Sequence, residues 1–559
     1  MIAGLTLWCA LSSAEAKPLK ANVLYFILVD RFQNGDLAND DHIDSQDPQA
    51  FHGGDLRGIS KKLAHIQELG GDALWLSPIF EMRTEKFGGH GAFHGYWVQH
   101  LDGIEPRYGG LSALAELNDQ LQQSSIPLIM DMVYNHVSFD SPMRTAHPDW
   151  FHPHPSIEDW NDPVQLTSYQ VHGLPDLNQR RPPVYQYLLH RSKHWAGYSQ
   201  GYRIDAIRHM ESAFIKKIGE DLKQDQGADF WLLGEDFQGN PSALRQRAED
   251  TKLDALFDFP LYYALTDTFC DQKSPMRLGG ILWLDRYYPA DLQLVRFLDN
   301  HDLPRIITRC GGSKKRATQA LFFLLTVRGL PMLTYGTEVW LSGGHEPENR
   351  KSMPWNQLGT ASDISAQITA LTTFRKRFPV LSSGTGHIET ISDTYIEYHQ
   401  VDENHRSIYL YNGGQETLSP PALSRSIVAA VSAGERIQVQ DPADIPDIAP
   451  GESLLLITPS VATKDETTPV TFKVAGAPED RLMLVGSDPV VGSWNPAQGL
   501  ELTAHRDGFW TVQQNLPTQA VICLKLVRKK DQLVVWSNGE NHCFSPQRNS
   551  IELVPPFEQ

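Results

Sequence analysis

Eight short apolar runs recur between Lys17 and about Arg375, each followed by a stretch with the period of an amphipathic helix. This alternation constrains the fold more than any other feature of the chain. The runs span residues 23–29, 73–76, 127–133, 201–205, 230–233, 255–259, 294–298 and 332–335. Parallel strands need a crossover long enough to carry a helix, so strand and helix in alternation predict an α/β fold built on a parallel sheet. Eight units predict that the sheet closes into a (β/α)8 TIM barrel with its functional groups on the loops after the strand C-termini. The longest interruption, about 137–173 after the third strand, is rich in His, Pro, Asp and Trp and reads as a short inserted subdomain beside that face.

Beyond the barrel, assigned to 17–378, the pattern changes. Residues 379–459 alternate polar and apolar side chains, as in Tyr395-Ile396-Glu397-Tyr398-His399, and predict an all-β sandwich domain. A polar stretch at 460–469 reads as a linker, and 470–559 as a second all-β sandwich. At the other end, the apolar run 2–13 followed by Ala14-Glu15-Ala16 has the form of a signal peptide, 1–16, which predicts a secreted or periplasmic protein. No other stretch approaches the roughly 18 apolar residues of a membrane span. Loss of Cys9 with the signal leaves Cys270, Cys310, Cys523 and Cys543, none with zinc-binding spacing. Export would allow Cys523 and Cys543 to pair, and unpaired buried thiols fit the sequence equally.

Acidic residues number 67 against 49 basic ones, and the net charge of −18 would repel polyphosphate and anionic lipid. Neither nucleic acid nor a membrane is therefore an expected partner, and a monomer is expected. The 13 Trp, 18 Tyr and 23 Phe suit a protein that stacks on flat ligands, although most aromatics in any chain are core.

Three strand candidates end in carboxylates with polar company: Arg203-Ile204-Asp205 with Arg208 and His209, Leu233-Gly234-Glu235, and Leu298-Asp299-Asn300-His301-Asp302. A fourth carries Asp131 and then Asn135-His136. Carboxyls gathered at one barrel face raise one another's pKa, so one can stay protonated as an acid while another stays ionised as a nucleophile. Glycoside hydrolysis needs such a pair. A single Asp after a strand is more often a helix cap, but four such clusters together are hard to explain that way.

The stretches Asp131-Met132-Val133-Tyr134-Asn135-His136, Gly201 through His209, Gly234-Glu235 and Phe297 through Asp302 resemble, in order, the four signature regions of the α-amylase family, glycoside hydrolase family 13. Gly71-Asp72-Ala73-Leu74-Trp75-Leu76-Ser77-Pro78, His94-Gly95-Tyr96-Trp97 and Leu174-Pro175-Asp176-Leu177-Asn178 match as well. The resemblance implies Asp205 as nucleophile, Glu235 as general acid and base, and Asp302 as the carboxylate that stabilises the transition state. It implies that Arg203 keeps Asp205 ionised, that His136 and His301 donate to sugar hydroxyls, and that Tyr96 stacks on the reacting ring. His94, Arg208 and His209 complete the implied substrate-binding set. Arg208 departs from the Lys found in many α-amylases.

Asn34, Asp36, Asn39, Asp40, Gly53 and Asp55 concentrate hard oxygen ligands of the kind Ca2+ takes, although Asn/Asp/Gly-rich loops are commonly just turns. The run from Tyr25 to Asp36 resembles the opening of cyclodextrin glycosyltransferases, and by that resemblance these residues fall where Ca2+ binds. A second Ca2+ site, common in the family, would use Asn135, Asp176 and the His209 carbonyl.

Near the C-terminus, Val491-Gly492-Ser493-Trp494-Asn495-Pro496, Leu524-Lys525-Leu526 and Val535-Trp536-Ser537-Asn538-Gly539-Glu540-Asn541 resemble a starch-binding domain of carbohydrate-binding module family 20. Trp494 and Trp536 would form the sugar platform, with Lys525 and Asn541 as polar partners. An aromatic of the family's second glucan site, near Met483, is missing, so one starch site is expected.

These readings converge on an exported enzyme that cleaves internal α-1,4-glucosidic bonds of starch and α-glucan oligosaccharides with retention. A maltooligosaccharide-forming amylase and a cyclodextrin glycosyltransferase-type transglycosylase are the alternatives. Against the latter, His172 stands where that group places an aromatic, and there is no room for an extra sandwich before residue 470. A non-catalytic relative would be expected to lose the three carboxylates, which are all present.

Overall fold

The structure, a computed structural model, describes residues 18–359, 362–421, 427–432, 435–437, 445–460, 467–475, 481–505, 508–530, 533–546 and 551–554. The expected signal peptide and residues 461–466 of the expected linker lie outside the described residues. Strands β1 (Leu24–Ile27), β2 (Ala73–Leu76), β3 (Leu128–Met132), β4 (Gly201–Ile204), β5 (Trp231–Gly234), β6 (Ala255–Phe257), β7 (Gln293–Arg296) and β8 (Leu330–Thr334) pair in parallel and in sequence order. Pairing of Leu24 with Met332 closes the barrel.

Each run is apolar on both faces for a physical reason. Leu24, Phe26, Trp75, Ile129, Trp231, Phe257 and Met332 fill the barrel interior, while Tyr25, Ile27, Leu74, Leu76, Leu128 and Met130 pack under the surrounding helices. The edges shift where apolarity and pairing part company. Phe297 and Leu298 were expected in β7 but lie beyond it, buried in the barrel mouth without strand pairing. β8 begins two residues earlier than expected and ends one earlier, and it includes Pro331, which has no N–H to give to the ladder.

The insertion after β3 is irregular, with short helices Met143–Ala146 and Pro163–Ser168, and is anchored through the bridges His136 to Asp176 and Phe151 to Leu177. The next unit's described strands form a single six-stranded antiparallel sheet across residues 385–459. Its Tyr409 ring packs on Phe322 and Phe323 of the barrel helix Lys314–Thr326.

The last unit is a two-sheet sandwich beginning at Thr467. Its core of Val470, Phe472, Leu484, Leu524 and Leu526 takes in Trp283 and Leu284 from the barrel helix Met276–Leu284. Trp283 Nε1 and the Tyr287 hydroxyl both donate to Asp488, at 2.7 and 2.9 Å. Gly280 permits this approach, since a Cβ there would lie 3.3 Å from Cys523 Sγ. The structure joins Cys523 to Cys543 and Cys270 to Cys310, choosing pairing over the free thiols that the sequence left equally open.

Candidate active site

The first residue past β4 is Asp205, the first past β5 is Glu235, and Asp302 lies on the loop after β7, so all three stand at the C-terminal mouth of the barrel. Arg203, the third residue of β4, points into that mouth and is fully buried. Its Nη1 donates to Asp131 at 2.8 Å and to Asp205 at 2.7 Å, and its Nη2 stands 2.7 Å from Glu235 Oε1. One guanidinium thus holds carboxylates from three adjacent strand ends in a fixed arrangement, which a flexible ammonium could not do. Asp131 is held further by the Tyr96 hydroxyl at 2.9 Å and Trp75 Nε1 at 3.2 Å.

Three carboxylates around one guanidinium leave an excess of negative charge in a dry site. Burial pushes the Glu235 carboxyl up, Arg203 pulls it down, and the charges of Asp205 and Asp302 add to the rise, leaving it at about 8. Burial and the charge of Asp205 likewise raise Asp131 despite Arg203. Glu235 also accepts from the Ala206 N–H at 3.1 Å, and Ala206 adopts a left-handed conformation, φ 49°, that an L-residue takes at a cost. The turn that presents Asp205 therefore also turns a donor toward Glu235.

Tyr96 stacks flat on His301, with ring centroids 4.9 Å apart, and its N–H donates to His94 Nδ1 at 3.0 Å. His136 Nε2 lies 3.1 Å from the Tyr96 carbonyl. Burial, together with the Arg350 and Arg203 charges, outweighs the opposing pull of Asp302 and holds His301 down at about 3, so its imidazole is neutral. Arg208 and His209 sit on the turn after β4: Arg208 donates to the Phe237 carbonyl at 3.3 Å, and His209 Nδ1 lies 3.0 Å from the Leu166 carbonyl of the insertion.

Two residues absent from the sequence reading belong here. Arg350, in the turn Glu348–Arg350, bonds the His301 carbonyl at 2.7 Å and Asp302 Oδ1 at 3.1 Å, fixing the loop that carries Asp302. Trp160 of the insertion is 40% exposed, with its ring 5.6 Å from His172 and 5.8 Å from His209. No spacing or motif marks Arg350, whereas the exposed aromatic in an irregular insertion was a usable signal for Trp160.

The first-loop oxygens come together. Asn34 donates to both oxygens of Asp40 at 2.9 Å, and a Cβ at Gly53 would lie within 2.8 Å of both side chains. Asp55 accepts from Gly35, Asp36 and Gly58 N–H groups, and Asp36 pairs with Arg57 at 2.9 Å. Asn34 Oδ1 and Asn39 Oδ1 are buried and unpartnered among the described residues, which fits a hard cation. At the second locus Asn135 Oδ1 is also buried without a partner, but His152 occupies Asp176 at 2.6 Å.

On the C-terminal sandwich, Trp494 and Trp536 face each other with ring centroids 6.4 Å apart and planes at 43°. Trp536 is 37% exposed and ends the strand Leu533–Trp536, and Lys525 and Asn541 line the same cleft. The four residues singled out in this module are therefore assembled.

Residues 26–408 match the family model for the α-amylase catalytic domain, and residues 467–551 match that for a starch binding domain. A β/α-amylase of Paenibacillus polymyxa is 29% identical over 70% of this chain, a match spanning 33% of that protein. A cyclomaltodextrin glucanotransferase of Klebsiella oxytoca is 25% identical over 97% of this chain and 95% of its own. Among solved structures, an Anoxybacillus α-amylase superposes with a TM-score of 0.71 at 28% identity, covering 81% of this chain and 99% of that one.

Proposed function

The chain belongs to the α-amylase catalytic-domain family, and from that premise we propose that it is an exported retaining hydrolase of internal α-1,4-glucosidic bonds in starch. The observation that carries the reading is Arg203 bridging Asp205 and Glu235 with two nitrogens at 2.7 Å each. Two carboxyls held by one guanidinium suit the roughly 5–5.5 Å separation of a retaining pair.

In this reading Asp205 attacks the anomeric carbon while Glu235, protonated, gives its proton to the leaving oxygen. The covalent glycosyl-enzyme then reacts with water, which Glu235, now ionised, deprotonates. Asp302, positioned by Arg350, stabilises the positive charge that develops on the sugar ring. Neutral His136 and His301 bond the ring hydroxyls, and Tyr96 stacks on its face.

Export is supported by the form of residues 1–16 and by two disulfides, which persist in oxidising compartments. Among the described residues no helix is long and apolar enough to cross a membrane.

Product analysis over time on soluble starch tests the reaction class. Linear oligosaccharides support hydrolysis, and cyclic products overturn it. Transfer to a sugar acceptor is the second reading, favoured by one observation: Trp160 sets an aromatic beside His172, where the sequence alone offers none. Trp160→Ala is expected to raise KM for long glucans about three- to tenfold with kcat little changed, as loss of one stacking contact requires. An unchanged KM would remove Trp160 from the cleft.

Ca2+ is proposed at Asn34, Asp36, Asn39, Asp40, Gly53 and Asp55, where it would neutralise the acidic first loop and tie it to helix Leu56–Lys61. A ligand bound only by the folded state stabilises it by about 4 kcal/mol at a thousandfold excess over Kd. Chelation is therefore expected to lower Tm by several degrees and added Ca2+ to restore it. A chelator-insensitive Tm would refute the site.

A further inference from the structure

We propose that the glucan site of the C-terminal module is completed by the barrel, so that one α-glucan chain is clamped between Trp494 and Trp536 on one side and the barrel residues Asn240, Arg277 and Ile281 on the other. The proposal rests on the starch-binding reading above and adds a second wall to it.

The Trp494 and Trp536 rings open into a cleft of about 580 Å³ whose lining comes from both units. Lys525 and Asn541 lie on the module side, and Gly239, Asn240, Arg277 and Ile281 on the barrel side. That volume lies within the range of small-molecule sites, roughly 300–1,000 Å³. A platform facing open solvent would accept any flat glucan surface. A platform facing a second wall admits a separated chain and keeps out the face of a granule.

The two walls are held in register. Trp283 is 1% exposed inside the module's own core, and Asp488 accepts from both Trp283 and Tyr287. Beside the cleft, the loop bearing Ser487, Pro489 and Ser493 lies against Pro241, Ser242 and Arg245. An apolar, hydrogen-bonded seam of this kind opposes the relative motion that loosely joined domains show.

The chemistry of the lining matches a glucan from both sides. The indole faces take the C–H faces of glucose, and Lys525 and Asn541 take hydroxyls. On the barrel side, Asp267 pairs with Arg277 Nη1 and anchors a guanidinium that can donate to further hydroxyls, while Ile281 adds an apolar surface.

Place in the barrel gives the clamp a purpose. Asn240 caps the helix Pro241–Thr251 that follows β5, and β-to-α loops of a (β/α)8 barrel lie on its catalytic face. Gly239 is four residues from Glu235, so the cleft wall starts within about 14 Å of that residue along the chain. The exposed Phe237 lies between them and its carbonyl is bonded by Arg208. The module therefore extends the substrate path of the barrel, where a flexibly tethered module would only raise local concentration.

The test uses the full chain carrying Glu235→Gln to suppress turnover, with soluble amylose as probe in affinity electrophoresis and Tm measured for every variant. Arg277→Ala is expected to raise Kd about fivefold to tenfold through loss of a charged donor, and Ile281→Trp to raise it further by filling the cleft. Trp536→Ala is the control for the platform and is expected to raise Kd by at least as much. Wild-type binding by both barrel variants, with Trp536→Ala weakened, overturns the clamp and leaves the module's own site standing. Wild-type binding by Trp536→Ala overturns the starch-binding reading itself. Should Ile281→Trp lower Tm, Arg277→Ala decides, since Arg277 is exposed and its removal leaves the packing intact.

Discussion

Glu235→Gln is expected to lower kcat on soluble starch by about 10,000-fold, the upper range for loss of a positioned general acid. Gln keeps the size and the acceptor for the Ala206 N–H but has no proton to give. The same substitution should change the pH profile in a defined direction. In the native enzyme kcat/KM is expected to fall as pH rises through about 8, where Glu235 loses its proton. The residual activity of the variant should lack that descending limb. Stability follows from the same shift. Between the ordinary glutamate range and about pH 8 the unfolded chain has released a proton that the folded chain retains, so this group's contribution turns unfavourable as pH rises across that window. Gln has no proton to lose and should therefore raise Tm above neutral pH while leaving it unchanged at pH 4. A variant that keeps a tenth of the native rate would show that another group supplies the proton.

How much of this was legible in the sequence depends on how local each signal is. The eight strands were visible because both faces of a barrel strand are buried, which leaves runs such as Ala73-Leu74-Trp75-Leu76 with no polar interruption. Burial without pairing produced the overreach at Phe297, and a proline inside a paired strand hid the start of β8. Asp205 and Glu235 could be found because strand-end carboxylates recur at predictable places in a barrel. Arg350 could not, because its partners His301 and Asp302 lie nearly fifty residues earlier and meet it only when β7 and β8 stand side by side. The barrel wall facing Trp536 was invisible for the same reason, since nothing in residues 239–241, 277 or 281 announces contact with a module more than two hundred residues later. Sequence located the carboxylates proposed for the chemistry, each on one element, and missed residues whose meaning lies in a neighbour.

Arg203→Met is expected to damage stability and turnover together, because it removes the counter-charge shared by Asp131 and Asp205 and the fork that holds Glu235 beside them. Asp131, Asp205 and Glu235 are all buried and each contacts this guanidinium. Breaking a buried pair by deleting one partner costs about 3–5 kcal/mol, since the remaining charge stays in a poor solvent. The carboxyls are expected to take up protons instead, which would leave Asp205 unable to attack. Activity should therefore fall at least a thousandfold, together with a lowered Tm that recovers in part at acid pH. Arg203→Lys separates these effects: one ammonium restores charge but cannot hold Asp131, Asp205 and Glu235 in a fork, so Tm should return further than kcat does. Adding Asp131→Asn to Arg203→Met removes one of the stranded carboxyls and should raise Tm above that of Arg203→Met alone without restoring turnover. A native kcat in Arg203→Lys would show that the guanidinium geometry is dispensable and that Asp205 and Glu235 are positioned by other contacts.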